Sequence, residues 1–386
     1  MDVKQIYELT NTAIQEVLGA ESVLQEDLSN LVDMGNAIFD ADAVDKYVKT
    51  LVNQVGKVVF VDRPYAGRAP KVLMDAWEYG SICEKIQMEL PEASENESWE
   101  LEDGQSYDTN VFTKPVVSAK FFNSKVTFEV KMSITELQVK QSFQNAQQLG
   151  SFIGMIYNSI DKAMTVRTDA LIMRTINNLI GETIYNEYTS GTGYDLASGV
   201  RAINLLKLYK DQFPSATVTT SNYMTDPDFM RFAASQISLV LGRLKNMSTL
   251  FNVGGKERFT PDDKLHVVLL DEFVKREEAY LMSDTFHNEF VKLPNAETVS
   301  YWQGSGTDYS LGSISKINVK TADNHEVELA NILGVAFDRD ALGVTNYNRR
   351  ATSHVVESAE FTNYWFKMDA SYFNDLDENG VVFFVA

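Results

Sequence analysis

The chain has 386 residues, with 34 Lys and Arg against 54 Asp and Glu and a formal charge of −20. That length exceeds the ~250–300 residues one core ordinarily serves, so two or three domains, or one core with long elaborations, are expected. The acidic balance, without a basic cluster, argues against a nucleic-acid-binding surface and for solubility.

No run of about 18 apolar residues reads as a membrane-spanning helix. MDVKQIYELTNTAIQEVLGAE lacks a basic start followed by an apolar run, so no signal peptide is expected. Cys83 is the single cysteine, which fits a reducing compartment, and it reads as a small hydrophobe in a strand.

In chain order, the first ~55 residues show apolar positions at helical spacing (Ile6, Leu9, Ala13, Val17, then Leu28, Leu31, Val44, Val48) without an obvious core of their own. They read as an arm lying on something else. KVVFVD at 57–62 predicts a strand, broken by RPYAGRAP. A second extended stretch, 72–88, leads into ELPEASENESWELED, with seven carboxylates and no basic residue between Glu89 and Asp103. After it Phe122, Val126, Phe128 and Val130 alternate with Lys125, Thr127, Glu129 and Lys131, as in a strand with one wet face. Two strand runs around a charged tip predict a long β-hairpin.

From Asn145 to Ile180 apolar residues recur at helical spacing without a proline, and Gly181 offers a C-cap. A helix that long is a structural spine. GTGYDLASG reads as a loop, VRAINLLKLYKDQF as helix, and ATVTTSNYM as strand into turn. Asp226 and Pro227 open a further helix as N-cap and first position. KLHVVLLDEF reads as a buried strand, followed by a short helix around 275–281. The aromatic-rich runs FTNYWFKMDASYF and GVVFFVA predict two last strands joined by a tight turn at NDLDENG.

The chemical motifs are weak. Asp375, Asp377, Asn379 and Gly380 match the opening of a calcium loop, but the twelfth position, which needs a bidentate Glu, is Ala386; a hairpin turn is the better reading. The glycine pairs Gly191/Gly193 and Gly304/Gly306 lack the strand before and the helix after that a phosphate cradle needs. His266, His287, His325 and His354 stand at no metal-ligand spacing, and neither a G-x-S-x-G elbow nor a paired Cys and His is present. Glu100 and Glu102 sit in a charged run with no apolar frame to raise a pKa. No catalytic residue, cofactor or metal is expected.

What remains is an order of elements: helical arm, long hairpin, spine helix, mixed α/β stretch, β return. That order, and the segments ASENESWELEDGQSYDTNVFTKPVVSAKFFNSKVTFEV, MIYNSIDKAMTVRTDALIMRTINNLI and NVGGKERFTPDDKLHVVLLDEF, resemble the major capsid proteins of tailed double-stranded-DNA bacteriophages, notably those infecting Gram-positive bacteria. The resemblance covers the whole chain. It implies an α+β protein of the Hong Kong 97-type capsid fold, with an N-terminal arm (1–70), an extended hairpin loop (71–131), a peripheral domain with the spine helix (132–184), an axial domain (185–345) and C-terminal strands returning to the peripheral domain (346–386).

Its implied function is a non-enzymatic subunit that assembles with copies of itself into pentamers and hexamers, closing an icosahedral shell around double-stranded DNA. The implied location is the virion, after synthesis in the host bacterial cytoplasm, with scaffold, portal and decoration proteins as further partners and no membrane. The hairpin tip then contacts a neighbouring subunit, with Trp99, Tyr107 and Phe112 as the expected contact residues. Lys85, Lys114, Lys120 and Lys125 lie in the hairpin stretch, and no crosslink through them is expected. An encapsulin-like compartment shell and an acidic glycan hydrolase are the alternatives.

Overall fold

The computed structural model describes residues 3–19, 29–40, 83–91, 114–135, 146–188, 193–282, 296–302, 316–359 and 361–386, with the shorter pieces 24–25, 43, 46–47, 50, 69–72, 93, 102–104, 110 and 112. The strand expected at 57–62 lies outside them, as do most of the acidic tip, Gly191, Gly304, Gly306 and His287. The chain forms two compact units: one from residues 1–69, 125–171 and 345–371, the other from 70–124, 172–344 and 372–386.

The first unit is built on a three-stranded sheet of β3 (Lys125–Thr135), β10 (Leu342–Val356) and β11 (Phe361–Asn374), ordered β10-β11-β3. β3 and β11 run antiparallel, from Phe361 opposite Thr135 to Ser371 opposite Lys125. Alternation puts Phe128, Val130, Met132 and Ile134 on one face, and these join Tyr364, Phe366 and Met368 of β11 in a core. The helices α1 (Val3–Leu18) and α2 (Leu31–Asp40) contribute Ala13, Ile14 and Ile38 to the same core, with Leu24 and Tyr47. These residues are thus buried within the chain against β3, β11 and the spine helix, in keeping with segments that lie on something else rather than on a core of their own. The spine helix α3 (Ala146–Glu187) adds Ile160 and Met164.

At 42 residues the spine is longer than its sequence boundaries, since Gly181 does not end it. A Cβ at Gly181 would stand 3.3 Å from Cβ of Val319 on β7 (Ile317–Lys320), which pairs with β8 (Glu326–Leu329), so the glycine serves a close approach to a strand rather than a cap.

The second unit centres on a five-stranded mixed sheet, β4-β12-β9-β5-β6, comprising β4 (Ala202–Asn204), β5 (Leu265–Leu270), β6 (Glu297–Val299), β9 (Ile332–Asp338) and β12 (Gly380–Phe384). Every residue of β9 and β12 is buried, as a central strand covered on both faces requires. Helices α4 (Leu205–Gln212), α5 (Pro227–Leu244) and α6 (Asp271–Met282) belong to this unit. The α5 cap is as expected, with Asp226 Oδ1 accepting from the Phe229 N–H at 2.9 Å and Pro227 in the first turn. α4 is shorter than predicted because 202–204 are strand and Asn204 caps the helix through Lys207 N–H.

Two strand expectations fail. ATVTTSNYM holds no strand: the Asn222 side chain accepts from the Thr219 N–H, and a short 3₁₀ turn follows at Tyr223–Thr225. That local hydrogen bond satisfies backbone a ladder would otherwise need. β11 and β12, moreover, do not pair as a hairpin. β11 pairs with β3, and β12 pairs with β9 antiparallel and β4 parallel, so residues 375–379 carry the chain from one sheet to another and β12 does not return to the β3 sheet.

The hairpin exists but is shorter than expected. β1 (Cys83–Met88) pairs with β2 (Val117–Phe122), Cys83 opposite Phe122 and Met88 opposite Val117, and the two form a sheet of their own. The alternating run after the acidic tip divides at Asn123 and Ser124, its second part becoming β3 of the other sheet.

Candidate assembly interface

Period-two alternation gives the hairpin two faces. Lys85, Gln87, Lys120 and Phe122 lie on the half-buried one, while Ile86, Met88, Val117 and Phe121 are exposed. This is largely the reverse of an ordinary half-buried strand: both lysines point inward and most large apolar residues face solvent, with Glu84 on the exposed face and Phe122 on the inner one. Ile86 and Phe121 are each 65% exposed. Leu90 and Val116 extend the exposed apolar face beyond the paired residues. A run of large apolar side chains on one strand pair marks a surface that another surface covers.

The inner face rests on the β11–β12 connection. Lys85 Nζ donates to Asp375 Oδ2 at 2.8 Å, to Glu378 Oε1 at 2.6 Å and to the Asp340 carbonyl at 3.2 Å. Lys120 Nζ reaches Asp375 Oδ1 at 2.9 Å and Asp377 Oδ2 at 2.5 Å. Gln87 Nε2 donates to Glu378 Oε1 at 2.8 Å, and Arg258 approaches both Gln87 and Glu378. Lys85 and Lys120 face each other across the strand pair, an unfavourable placement for like charges. Here the two ammoniums take the two oxygens of one carboxylate, whose side chain is fully buried.

Burial alone would push the Asp375 carboxyl up, but the hydrogen bonds from Lys85 and Lys120, with the charge of Lys85, hold it below the ordinary range. The Lys120 ammonium loses hydration, and its carboxylate partners nonetheless raise its pKa. The calcium-like spacing at 375–380 thus has a structural explanation. Its carboxylates gather cations, and the cations are lysines of the hairpin. Among the described residues no group of three or more His, Cys, Asp or Glu is placed to hold a metal ion.

Of the residues expected at the subunit contact, Phe112 is 86% exposed, and Trp99 and Tyr107 lie outside the described residues. The sequence reading missed Ile86, Met88, Val117 and Phe121. Their signal was the shared parity of Ile86 and Met88 in CEKIQM, opposite that of the charged residue Lys85. The histidines are placed as structural groups: His266 Nε2 lies 2.9 Å from Glu297 Oε2 with its ring stacked on Phe337, and His325 stacks on Tyr185. Among the described residues no helix is long and apolar enough to cross a membrane.

The capsid structure of Staphylococcus phage Andhra is similar over 84% of this chain and 87% of that one, at 10% identity and a TM-score of 0.52. A chain in a structure of native bacteriophage P68, described for its head fiber and inner core protein, is similar over 82% of this chain and 83% of that one, at 11% identity and a TM-score of 0.50. These likenesses show the fold, which is the Hong Kong 97-type capsid fold. No curated protein matches the sequence. The family model for the Phi29-like phage major capsid protein matches residues 8–384, and nothing observed favours a compartment shell or a hydrolase. The chain belongs to the Phi29-like phage major capsid protein family.

Proposed function

We propose that this subunit assembles with copies of itself, as pentamers and hexamers, into the icosahedral shell that encloses phage double-stranded DNA. The observation that carries the reading is the inverted hairpin: an apolar outer face on β1 and β2 with no cover within its own sheet, in a chain of a capsid family. A second copy is the occupant because a closed lattice offers every subunit the same neighbour. In this reading the extended loop expected at 71–131 ends before β3, at about residue 124, and Phe112, with Trp99 and Tyr107, sits at its junction with the next subunit.

The role is structural rather than enzymatic, and the net charge of −20 keeps the inner wall from gripping DNA. Portal, scaffold and decoration proteins are further partners, the protein resides in the virion, and it is made in the host cytoplasm. Sedimentation with negative-stain microscopy of the expressed protein tests the reading. Closed shells or capsomers of uniform size are expected, and a protein that stays strictly monomeric at high concentration would sink it. Deleting residues 89–105, or replacing Ile86 and Phe121 by Asp together, is expected to abolish shells while leaving the spine and the five-stranded sheet folded.

A further inference from the structure

The two ends of the hairpin's attachment differ in rigidity. The 375–379 connection is fixed by backbone: Val253 and Gly254 N–H groups donate to the Leu376 carbonyl at 2.9 and 3.1 Å, Asp375 N–H to the Ala341 carbonyl at 2.6 Å, and Gly380 N–H to the Phe251 carbonyl at 2.9 Å. The fit is tight enough that a Cβ at Gly254 would lie 1.9 Å from Asp377 Oδ1. Among the described residues the hairpin shares no ladder hydrogen bonds with the five-stranded sheet. It is held at its base by Phe122 against Phe373, along its length by the ion cluster and Arg258, and toward its tip by the Lys256 to Glu89 pair at 2.8 Å.

Ionic and apolar fastenings behave differently on opening. Lifting an apolar face exposes it to water at full cost, whereas parting an ion pair returns both charges to water, and that hydration offsets most of the lost attraction. A cradle held rigidly, carrying three carboxylates from Asp375, Asp377 and Glu378 and gripped by side chains of a separate two-stranded element, can open without disturbing either sheet.

We propose that the 375–378 turn is a releasable electrostatic clasp. It aims the hairpin in the free subunit, and its opening lets the hairpin be re-aimed when the apolar outer face meets a neighbour. The proposal rests on the reading above that this face docks on a second copy.

Cys83 supplies the probe. It is the single cysteine, lies half-buried at the base of β1, and pairs with Phe122, which the clasp holds against Phe373. In the full-length unassembled subunit, its rate of reaction with an uncharged disulfide reagent, a dipyridyl disulfide, is measured against salt and in variants, so that repulsion between an anionic reagent and this acidic chain does not enter. Lys120→Gln and Asp377→Asn are expected to raise the rate about fivefold or more, with Lys120→Arg keeping it near that of the unaltered protein. Salt raised to about 1 M is expected to raise the rate in the unaltered protein as well. Charge effects on the thiol itself run the other way: burial raises the Cys83 pKa and the Lys85 charge offsets part of that rise, so screening Lys85 slows the reaction.

A rate that is unchanged or falls, in salt and in both variants, with the circular dichroism melt preserved, would overturn the clasp. The salt titration needs no variant, so misfolding cannot mask the answer. Shells that form normally beside an unmoved thiol rate sink the clasp alone. A released thiol in a protein that never forms shells sinks the shell reading alone.

Discussion

β3 and the β1–β2 hairpin are both alternating strands, and they use the alternation in opposite senses. In β3 the apolar residues Phe128, Val130, Met132 and Ile134 face the core and Thr127, Glu129 and Lys131 face out. In the hairpin Lys85 and Lys120 face in, and Ile86, Met88, Val117 and Phe121 face out. A period of two states that a strand has two unlike faces. Which face is inside depends on what the rest of the chain offers it: an apolar core cluster in the first case, three fixed carboxylates in the second.

The sharpest way to break the comparison is to truncate one aromatic from each. Phe366 is 4% exposed among the residues packed against β3, and Phe366→Ala is expected to cost about 3–5 kcal/mol, read as a lowered urea midpoint. Phe121→Ala removes the same atoms from the outer hairpin face and is expected to change subunit stability by less than about 0.5 kcal/mol. Its expected defect is in shell yield by sedimentation. Equal losses of stability would mean that the outer face is a core after all.

Two buried carboxylates extend the contrast from strands to charges. Glu277 on α6 is 3% exposed, its Oε1 has no hydrogen-bond partner among the described residues, and burial, with Glu278 nearby, pushes its pKa up to about 7. A raised carboxylate pKa means that the protonated form is the one the fold prefers. The stability from this site is therefore full below the ordinary carboxylate value and is lost as pH rises toward 7. Glu277→Gln is expected to remove that loss, raising stability at pH 8 by about 2–3 kcal/mol relative to the unaltered protein and leaving it little changed at pH 4. Thermal melts at the two pH values decide it.

Asp375 is buried too, but its pKa is lowered, so the sign reverses. Its stabilisation is present above the ordinary carboxylate value and fades as pH falls through the lowered one. Asp375→Asn is expected to cost about 1–3 kcal/mol at pH 7, less than a fully buried pair because both lysines keep some contact with water, and to cost little in acid.

How much of this was legible follows from the same particulars. Long-range order was: the spine, the capped helix at Asp226, the strand at 265–270 and the existence of a hairpin all follow from local pattern and caps. Partners distant in sequence were not. DLDENG displays its cation-gathering carboxylates within six residues, but the lysines that satisfy them lie 255 and 290 residues away. For the same reason NDLDENG suggested a turn between paired strands when β11 and β12 pair elsewhere, with β3 and with β4 and β9. The N-terminal helices looked coreless because their core residues come from β3, β11 and the spine.

The smallest expected effect concerns the wet face of β11, where Asp369 meets Arg350 at 2.5 Å and Thr127 at 2.7 Å. The hydrogen bond from Arg350 is the chief cause of the lowered Asp369 pKa. Superficially this resembles the hairpin clasp, being another carboxylate gripped by a basic side chain from a neighbouring strand. The difference is what the pair holds. β10, which carries Arg350, and β11 are already hydrogen-bonded neighbours in one sheet, so the Arg350 to Asp369 pair adds to an attachment that stands without it. With Arg350 more than a third exposed, solvent screens the pair, and Asp369→Ala is expected to cost less than about 1 kcal/mol with no change in Cys83 reactivity. Lys120→Gln, at a comparably exposed lysine, is expected to leave the melt as little changed yet to free the thiol, because there the ion cluster is the main attachment between two elements. If both substitutions left the thiol alone, ion pairs at the hairpin base would be ornaments like the one on β11; if only Lys120→Gln moved it, the role of a surface charge pair is set by whether a ladder already joins what it spans.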